Sequence, residues 1–295
     1  MPTSQNVLKH IREMDRAEIQ ETYEEEGQQI LELAEEEGRL DQEVDVAIDY
    51  TKIPYYGDKN DEMVTESKSE NGTTHFYKFA TLKIVTGNEQ YSLKSLPASK
   101  FSSTEDLVEE LLQYAEEHID VRRVYMDRGF FSGAVINLMD DNDWKFIMPA
   151  TENTKIQRII EETGEEDIQR YQLNVKEPAS FNLVLREGKD DELKSFATNC
   201  GKLEILSHNL FDLYGRRWDI ETGYRVQKNK FLPKTTSKNY NVRLFLFLFS
   251  ELLYNSWMLI NVRISLQKYG EIQPEKEITA KGFIYCLFEA FDEYG

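Results

Sequence analysis

The order of strand-like and helix-like patterns over residues 43–150 leaves few folds open to this chain. The segment EVDVAIDYT alternates apolar and acidic residues, which is typical of a strand, and it ends near Asp49. GTTHFYKFATLKIVTG and EQYSLKSLPA predict two more strands joined by a turn at Gly87 and Asn88. The patterns that follow predict a helix, a strand, a helix and a strand, in SSTEDLVEELLQYAEEH, VRRVYMD, SGAVINLMDDN and WKFIMPA. This order predicts an α/β sheet that begins with an antiparallel meander.

The segments on either side of this core have other patterns. Residues 5–40 place apolar residues at helical intervals among charges, which predicts helix. Three strand-like runs, YQLNVK, FNLVLREG and LKSFATN, indicate a β-rich insertion, and helices are predicted over 203–230, 242–266 and 280–293. We therefore expect a helical N-terminal segment (1–42), a first core part (43–150), the insertion (151–202), a second core part (203–266) and a helical tail (267–295).

The charge balance limits the classes of partner. The chain carries 54 Asp and Glu against 35 Lys and Arg, a net charge of −19. Such a balance indicates either a protein without affinity for nucleic acid or one whose acidic surface keeps it hydrated in concentrated salt. We favour a salt-rich cytoplasm, because the acids occur in runs such as YEEEGQQILELAEEEG that resemble solvated helix faces.

Cysteines, histidines and the N-terminus exclude several other classes. The two cysteines are far apart and the four histidines are scattered, which argues against a disulfide framework or a zinc site. The start, MPTSQNVLKHIREMD, has no apolar run typical of a signal peptide. Residues 242–264 have nearly the length of a membrane span, but Glu251 and Asn255 stand in the middle. We therefore predict a buried core helix there and a cytoplasmic protein.

Two aspartates stand where predicted strands end or cross the sheet. They are Asp49 in VAIDYTKIPYYG and Asp127 in VYMDRGFFSG. The carboxyl end of a strand faces the crevice where α/β sheets bind ligands, and a buried unpaired charge is costly. Each aspartate is therefore a candidate metal ligand or, alternatively, the cap of a loop.

A third carboxylate lies in LYGRRWDIETGYRVQKNK. On a regular helix, Tyr214, Arg217, Glu221 and Lys228 fall within an arc of about 60°. Trp218 and Arg225 border the same face. One interpretation is a surface helix with ordinary Glu–Lys pairing. It accounts for the charges but not for the aromatic residues among them.

These residues resemble the signature of DDE transposases of bacterial and archaeal insertion sequences. The spacing Y-x2-R-x3-E-x6-K is similar to the family's motif, and RRWDIET resembles the wording around its glutamate. MDRGF and AIDYTKIPYYG resemble the contexts of its two aspartates. The order Asp, Asp, Glu also agrees, and the resemblance extends over roughly residues 43–265. A halophilic archaeon is the source that the composition and the resemblance together suggest.

The resemblance implies an RNase H-like mixed sheet flanked by helices, with a β-rich insertion before the last catalytic helix. Asp49, Asp127 and Glu221 would be catalytic and hold two Mg²⁺ or Mn²⁺ ions for DNA cleavage and strand transfer. Arg217, Lys228 and Tyr214 would contact phosphates, and Trp218 would pack in the core or stack on an unpaired base. Further phosphate contacts are expected from Lys52, Arg128 and Arg225. The implied partners are double-stranded DNA, at the element's ends and at the target, and a second copy in a DNA-bound homodimer.

The N-terminal part departs from the family's pattern. Members usually carry a folded domain there that recognises the element's ends, whereas only about 40 residues precede the first predicted strand here, and their composition is acidic. The alternative is therefore a truncated or catalytically idle derivative that acts as a DNA-binding or inhibitory protein.

Overall fold

Nine strands in the described part of the chain form a mixed sheet. The computed structural model describes residues 3–38, 40, 42–85, 90–188, 192–207, 210–215 and 217–294. The strands are β1 (Val44–Pro54), β2 (Val64–Glu70), β3 (Thr73–Ile84), β4 (Tyr91–Ala98), β5 (Val121–Met126), β6 (Phe146–Pro149), β7 (Asp167–Leu173), β8 (Ala179–Glu187) and β9 (Leu193–Thr198). Their order is β2-β3-β1-β5-β6-β9-β8-β7, and β4 also pairs with β3.

Helices flank this sheet. They are α1 (Ser4–Glu13), α2 (Arg16–Glu36), α3 (Thr104–Glu116), α4 (Gly133–Asp141), α5 (Thr154–Thr163), α6 (Lys202–Ser207), α7 (Leu210–Gly215), α8 (Arg217–Val226), α9 (Tyr240–Tyr269) and α10 (Ala280–Tyr294). The predicted α/β class is therefore confirmed, and the architecture is consistent with an RNase H-like fold. The predicted turn at Gly87 and Asn88 lies outside the described residues.

The chain divides into two compact units. The first unit consists of Met1–Gln42, Tyr50–Phe101 and Glu221–Gly295, and the second of Glu43–Asp49 and Ser102–Ile220. Strand β1 was predicted to end near Asp49, and this was wrong, because the strand continues to Pro54. It contributes to both units, since the division falls between Asp49 and Tyr50. The five segments predicted from the sequence are continuous stretches of chain, whereas each unit combines several separate stretches. The five segments therefore stay predictions.

The first unit is built around α9. In its core, the rings of Phe79 on β3 and Phe247 on α9 stack at a centroid distance of 4.1 Å. Apolar side chains from α2 and β1 complete the same buried cluster. The side chain of Asn255 on α9 accepts from the backbone N–H of Ser92 at 2.9 Å and donates to its carbonyl at 2.8 Å. These contacts give α9 the character of a core helix.

Among the described helices, α9 is the one long and apolar enough to cross a membrane by length and composition. Most of its apolar window is buried inside the protein. Its polar residues Glu251 and Asn255 are fully buried. The polar contacts of Asn255 with β4 account for a buried amide in this helix.

The second unit contains the parallel strands β1, β5 and β6. Beyond them β6 pairs antiparallel with β9, β9 with β8, and β8 with β7. The predicted β-rich insertion therefore continues the sheet. Helix α5 comes before β7 and contains the first part of IIEETGEEDI, an acidic run that resembles a solvated helix face.

The structure corrects the prediction of a single α-helix over residues 203–230. The described residues form α6, α7 and α8, followed by a π-helix over Gln227–Phe231. Residues 208, 209 and 216 lie outside the description. The N–H of Leu232 donates to the carbonyl of Gln227 at 2.9 Å, an i→i+5 bond that widens the turn. The prediction is thus wrong at its C-terminal end, where Lys228 leaves the regular α-helical spacing.

Candidate active site

Asp49 and Asp127 come from neighbouring parallel strands of the second unit. Ile48 on β1 is the register partner of Met126 on β5, so the two aspartates are the next residues along the two strands. Parallel neighbours lie about 4.8 Å apart, and residues at one register position share a face of the sheet. Asp49 and Asp127 therefore directly follow the last paired position of two adjacent strands.

The surroundings of the two aspartates differ. Asp49 is buried, next to the fully buried Ile48, whereas Asp127 is half-buried. One carboxylate oxygen of Asp127, Oδ1, accepts the backbone N–H of Gly129 at 2.7 Å. This bond turns the chain into a short 3₁₀ helix over Arg128–Phe130. The loop-capping interpretation of Asp127 is thus correct for one of its oxygens.

Gly129 is needed for this close turn. A Cβ atom at this position would lie 2.9 Å from Oδ1 of Asp127, well inside normal contact distance. The glycine of the sequence MDRGF therefore lets the backbone approach the carboxylate. Phe130, fully buried, anchors the other side of the turn.

Glu221 is exposed on α8 and is the first residue of the third segment of the first unit. Gly223 and Tyr224, on the buried side of α8, hold the helix. The ring of Tyr224 lies over the ammonium of Lys83, with Nζ 4.3 Å from the centroid. A Cβ at Gly223 would lie 2.7 Å from Oε1 of Gln90, so the glycine allows α8 to pack closely. Two residues before this contact, Glu221 faces outward.

The predicted DNA contacts have different positions. The ring of Tyr214 is largely buried and packs edge-on against Phe196 at 5.4 Å within the second unit. The side chains of Arg217 and Trp218 lie outside the described residues. In the first unit, Nζ of Lys228 donates to the carbonyl of Lys52 on β1 at 3.1 Å. Arg128 and Arg225 are exposed.

Asp49 and Asp127 are thus brought together in one unit, and Glu221 belongs to the other. Within the described residues, no group of three or more His, Cys, Asp or Glu lies close enough to hold a metal ion. The two neighbouring aspartates supply hard oxygen donors, the ligand type that Mg²⁺ and Mn²⁺ take. This donor set fits a divalent metal ion.

The sequence model of the transposase DDE domain matches residues 41–255. The chain belongs to this family. The match begins just before β1 and ends in α9, so that it contains Asp49, Asp127 and Glu221. Comparison with curated proteins gives no match. Membership supports a transposase that acts on DNA as a phosphoryl transferase, in a family that generally uses divalent metal ions.

The first unit of this transposase also contains a basic cavity that sequence reasoning largely missed. We call it the cationic cavity; its volume is about 770 Å³. It is lined by Lys52, Ile53, Pro54, Tyr55, Tyr56, Asn71, Lys228, Asn229, Leu232, Pro233, Lys234, Thr235, Thr236, Lys238 and Arg243. Five of these residues are cationic and none is acidic.

A signal for the cavity was present in the sequence of this transposase. Between Glu221 and Glu251 there is no Asp or Glu, although the whole chain has 54. The same stretch contains six Lys and Arg, including Lys234, Lys238 and Arg243. An acid-free run of this length in so acidic a chain marks a basic surface.

Proposed function

We propose that this chain is a transposase that cleaves DNA at the ends of an insertion sequence and joins those ends to target DNA. Asp49, Asp127 and Glu221 are its proposed catalytic and metal-binding residues. The observation that carries the proposal is the register of Ile48 with Met126, which supports a pair of carboxylates at one edge of the sheet. The family match, which includes all three acids, supports the same reaction class.

The proposed reaction proceeds in two displacements at phosphorus. Asp49, Asp127 and Glu221 would hold two Mg²⁺ or Mn²⁺ ions, which would activate the attacking oxygen and stabilise the leaving one. In the first step the oxygen of water attacks the phosphodiester, and the 3′-oxygen leaves and takes up a proton. In the second step that 3′-OH loses its proton and attacks a phosphodiester of the target, and the target 3′-oxygen leaves and takes up a proton.

Side chains near Glu221 have supporting roles in this proposal. Lys228 and Arg217 contact backbone phosphates, and Tyr214 contributes its hydroxyl. For Lys228, its position at the cationic cavity supports the assignment. Trp218 packs in the core or stacks on an unpaired base. Because the reaction joins two ends, we expect a homodimer on DNA, acting in the cytoplasm of a halophilic archaeon.

The test is nicking of the inverted repeats that flank the gene. Purified protein and labelled repeat DNA are incubated at high salt with Mg²⁺, with Mn²⁺ or with EDTA. We expect nicking with either metal ion and none with EDTA. Asp49→Asn, Asp127→Asn and Glu221→Gln should each reduce nicking to the EDTA level, because each removes one charged ligand.

Glu161→Gln is the matched control, since Glu161 is an exposed glutamate on α5. It should nick like the unaltered protein. Nicking that survives Glu221→Gln would show that Glu221 is not a metal ligand. Binding of the repeats without nicking under any metal condition would instead identify the idle DNA-binding derivative.

A further inference from the structure

The cationic cavity is lined by five cations, and four of them have no opposite charge as a partner within the described residues. In the described residues, none of Lys52, Lys234, Lys238 and Arg243 forms an ion pair. Their hydrogen bonds go to neutral partners: Nζ of Lys52 donates to the hydroxyl of Ser67, and Nε of Arg243 donates to the carbonyl of Ser237 at 2.7 Å. Cations gathered in this way repel one another. The arrangement therefore favours an anionic ligand.

Arg243 shows this imbalance most clearly. It is half-buried at the start of α9, and burial lowers the pKa of its guanidinium. The groups that raise the pKa again are the hydroxyls of Tyr77 and Tyr55, which are neutral at physiological pH, and no carboxylate of the described residues is among them. Partial burial of a cation without an opposite charge is costly. An anion in the cavity would supply the missing charge.

Apolar and aromatic side chains also line the cavity, together with the uncharged Asn71, Asn229, Thr235 and Thr236. Ile53, Pro54 and Tyr55 come from β1 and its end, and Leu232 and Pro233 follow the π-helix. At the cavity, Tyr56 is 61% exposed, and its hydroxyl donates to the carbonyl of Asn71 at 2.7 Å. The hydroxyl is thus fixed while the ring face stays accessible. A ligand that suits these walls has both phosphates and a flat apolar body, as a nucleotide has.

The size of the cavity determines whether a single strand or a duplex can enter it. Its volume of about 770 Å³ corresponds to roughly 9 Å in each direction, within the range of small-molecule sites. A DNA duplex, whose major groove alone is about 12 Å wide, is too large to enter. One or two unpaired nucleotides fit.

We infer that the cationic cavity binds a short unpaired segment of a DNA strand. Lys234, Lys238 and Arg243 contact its phosphates, and Tyr56 stacks on a base. Lys228 joins this cavity to the helix that carries Glu221, because the π-helix directly continues α8. The inference rests on the proposed function only in taking DNA as the ligand. It adds a single-strand site to the three carboxylates.

The experiment measures binding in EDTA, where no cleavage can occur. The probes are a fluorescent blunt duplex and the same duplex with a short single-stranded extension, compared by anisotropy across a range of KCl concentrations. We expect the extended duplex to bind about tenfold more tightly, since stacking and phosphate contacts add to duplex binding. Equal affinity for the two probes would overturn the inference.

Two variants separate charge from stacking. Lys234→Ala with Lys238→Ala should abolish the preference and reduce the slope of log affinity against log salt by about 1.4, or about 0.7 per phosphate contact. Tyr56→Leu should weaken binding of the extension without changing this slope. All three side chains are exposed, so thermal unfolding should confirm intact folding. If both variants kept the full preference for the extended duplex over the blunt one, the cavity would be excluded as the binding site.

The charge-matched control is Lys9→Ala with Lys281→Ala, because both lysines are exposed on helices and neither lines the cavity. It should retain the preference. Free mononucleotide serves as a competitor: weak competition supports a strand site, and competition as strong as that of the extension would contradict it. Nicking in Mg²⁺ is scored separately. Extension binding without nicking rejects the proposed function alone, and nicking without a preference for the extension rejects this inference alone.

Discussion

Glu251 on α9 is a carboxyl group enclosed by the core of the first unit. Its side chain is fully buried. Burial raises its pKa above the usual 4.5, while the charge of Lys83 and the hydroxyls of Ser95, Tyr23 and Thr81 act in the opposite direction. Folding therefore favours the protonated form. The stability that this provides is fully present below pH 4.5 and is lost as the pH rises through the folded-state pKa.

Glu251→Gln should remove this loss of stability at higher pH, because glutamine does not ionise. The free energy of unfolding of the variant, relative to the unaltered protein, should increase as the pH rises from about 4.5 to 8. The expected change is about 1.4 kcal/mol for each pH unit between the folded and unfolded pKa values. Urea unfolding at a series of pH values measures it. A relative stability that stays constant with pH would contradict the assignment.

Glu277 provides a control of opposite sign. A hydrogen bond from Lys268, with Nζ 2.7 Å from Oε2, lowers the pKa of Glu277. Its stabilising contribution is therefore present above pH 4.5 and lost as the pH falls. Glu277→Gln should lower stability at neutral pH and have less effect in acid, the reverse of the Glu251 variant.

At the scale of elements, the first residue of α4 determines how the insertion packs. A Cβ atom at Gly133 would lie 1.7 Å from the carbonyl oxygen of Glu177, in the loop between β7 and β8. The side chain of Asn137, one turn later on α4, donates to the carbonyl of Pro178 in the same loop at 3.1 Å. Helix and loop therefore pack backbone against backbone.

Gly133→Ala should force this loop away from α4. We expect destabilisation of about 1–3 kcal/mol, as for other overpacked sites. Gly201→Ala is the control, because a Cβ there would meet nothing within 4 Å. It should change the free energy of unfolding by less than about 0.5 kcal/mol. Equal effects of the two substitutions would contradict the proposed packing.

Elements with a strong pattern could be predicted from the sequence, and those defined by tertiary contacts could not. The alternation in β1 and the short apolar run of β5 predicted the type of both strands. The pairing of β1 with β5, which makes Asp49 and Asp127 neighbours, is a tertiary contact that the pattern does not contain. Strand β2, VTESKSE, was missed because only Val64 is buried and the rest of it is exposed or half-exposed. The π-helix was missed because its residues have good α-helical spacing. Which residues line the cationic cavity depends on how β1 meets the segment after α8, which no local pattern contains.

At the scale of the whole molecule, the net charge of −19 works against the compact state at low salt. Raising the ionic strength from about 0.1 M to 1 M shortens the screening length from about 10 Å to 3 Å. The unfolding temperature should therefore rise by at least about 3 °C between 0.1 and 1 M KCl, corresponding to about 1 kcal/mol. Thermal unfolding followed by circular dichroism measures this.

The variant Glu25→Lys with Glu26→Lys is the matched test of the charge effect. Both glutamates are exposed on α2, and exchanging them changes the net charge from −19 by +4, to −15. Its unfolding temperature should rise less with salt than that of the unaltered protein. An unfolding temperature that falls as KCl is added would refute the interpretation of the acidic surface.

The acid-free stretch between Glu221 and Glu251 has a consequence for how the molecule meets DNA. At a distance, DNA and a protein of net charge −19 repel each other as two anions. Within a screening length, the local charges determine the force, and the cationic cavity is attracted. Encounters in most orientations are therefore repulsive, and those in which the cavity faces the DNA are attractive. The charge distribution thus selects the orientation in which the protein approaches DNA, before any base or phosphate is bound.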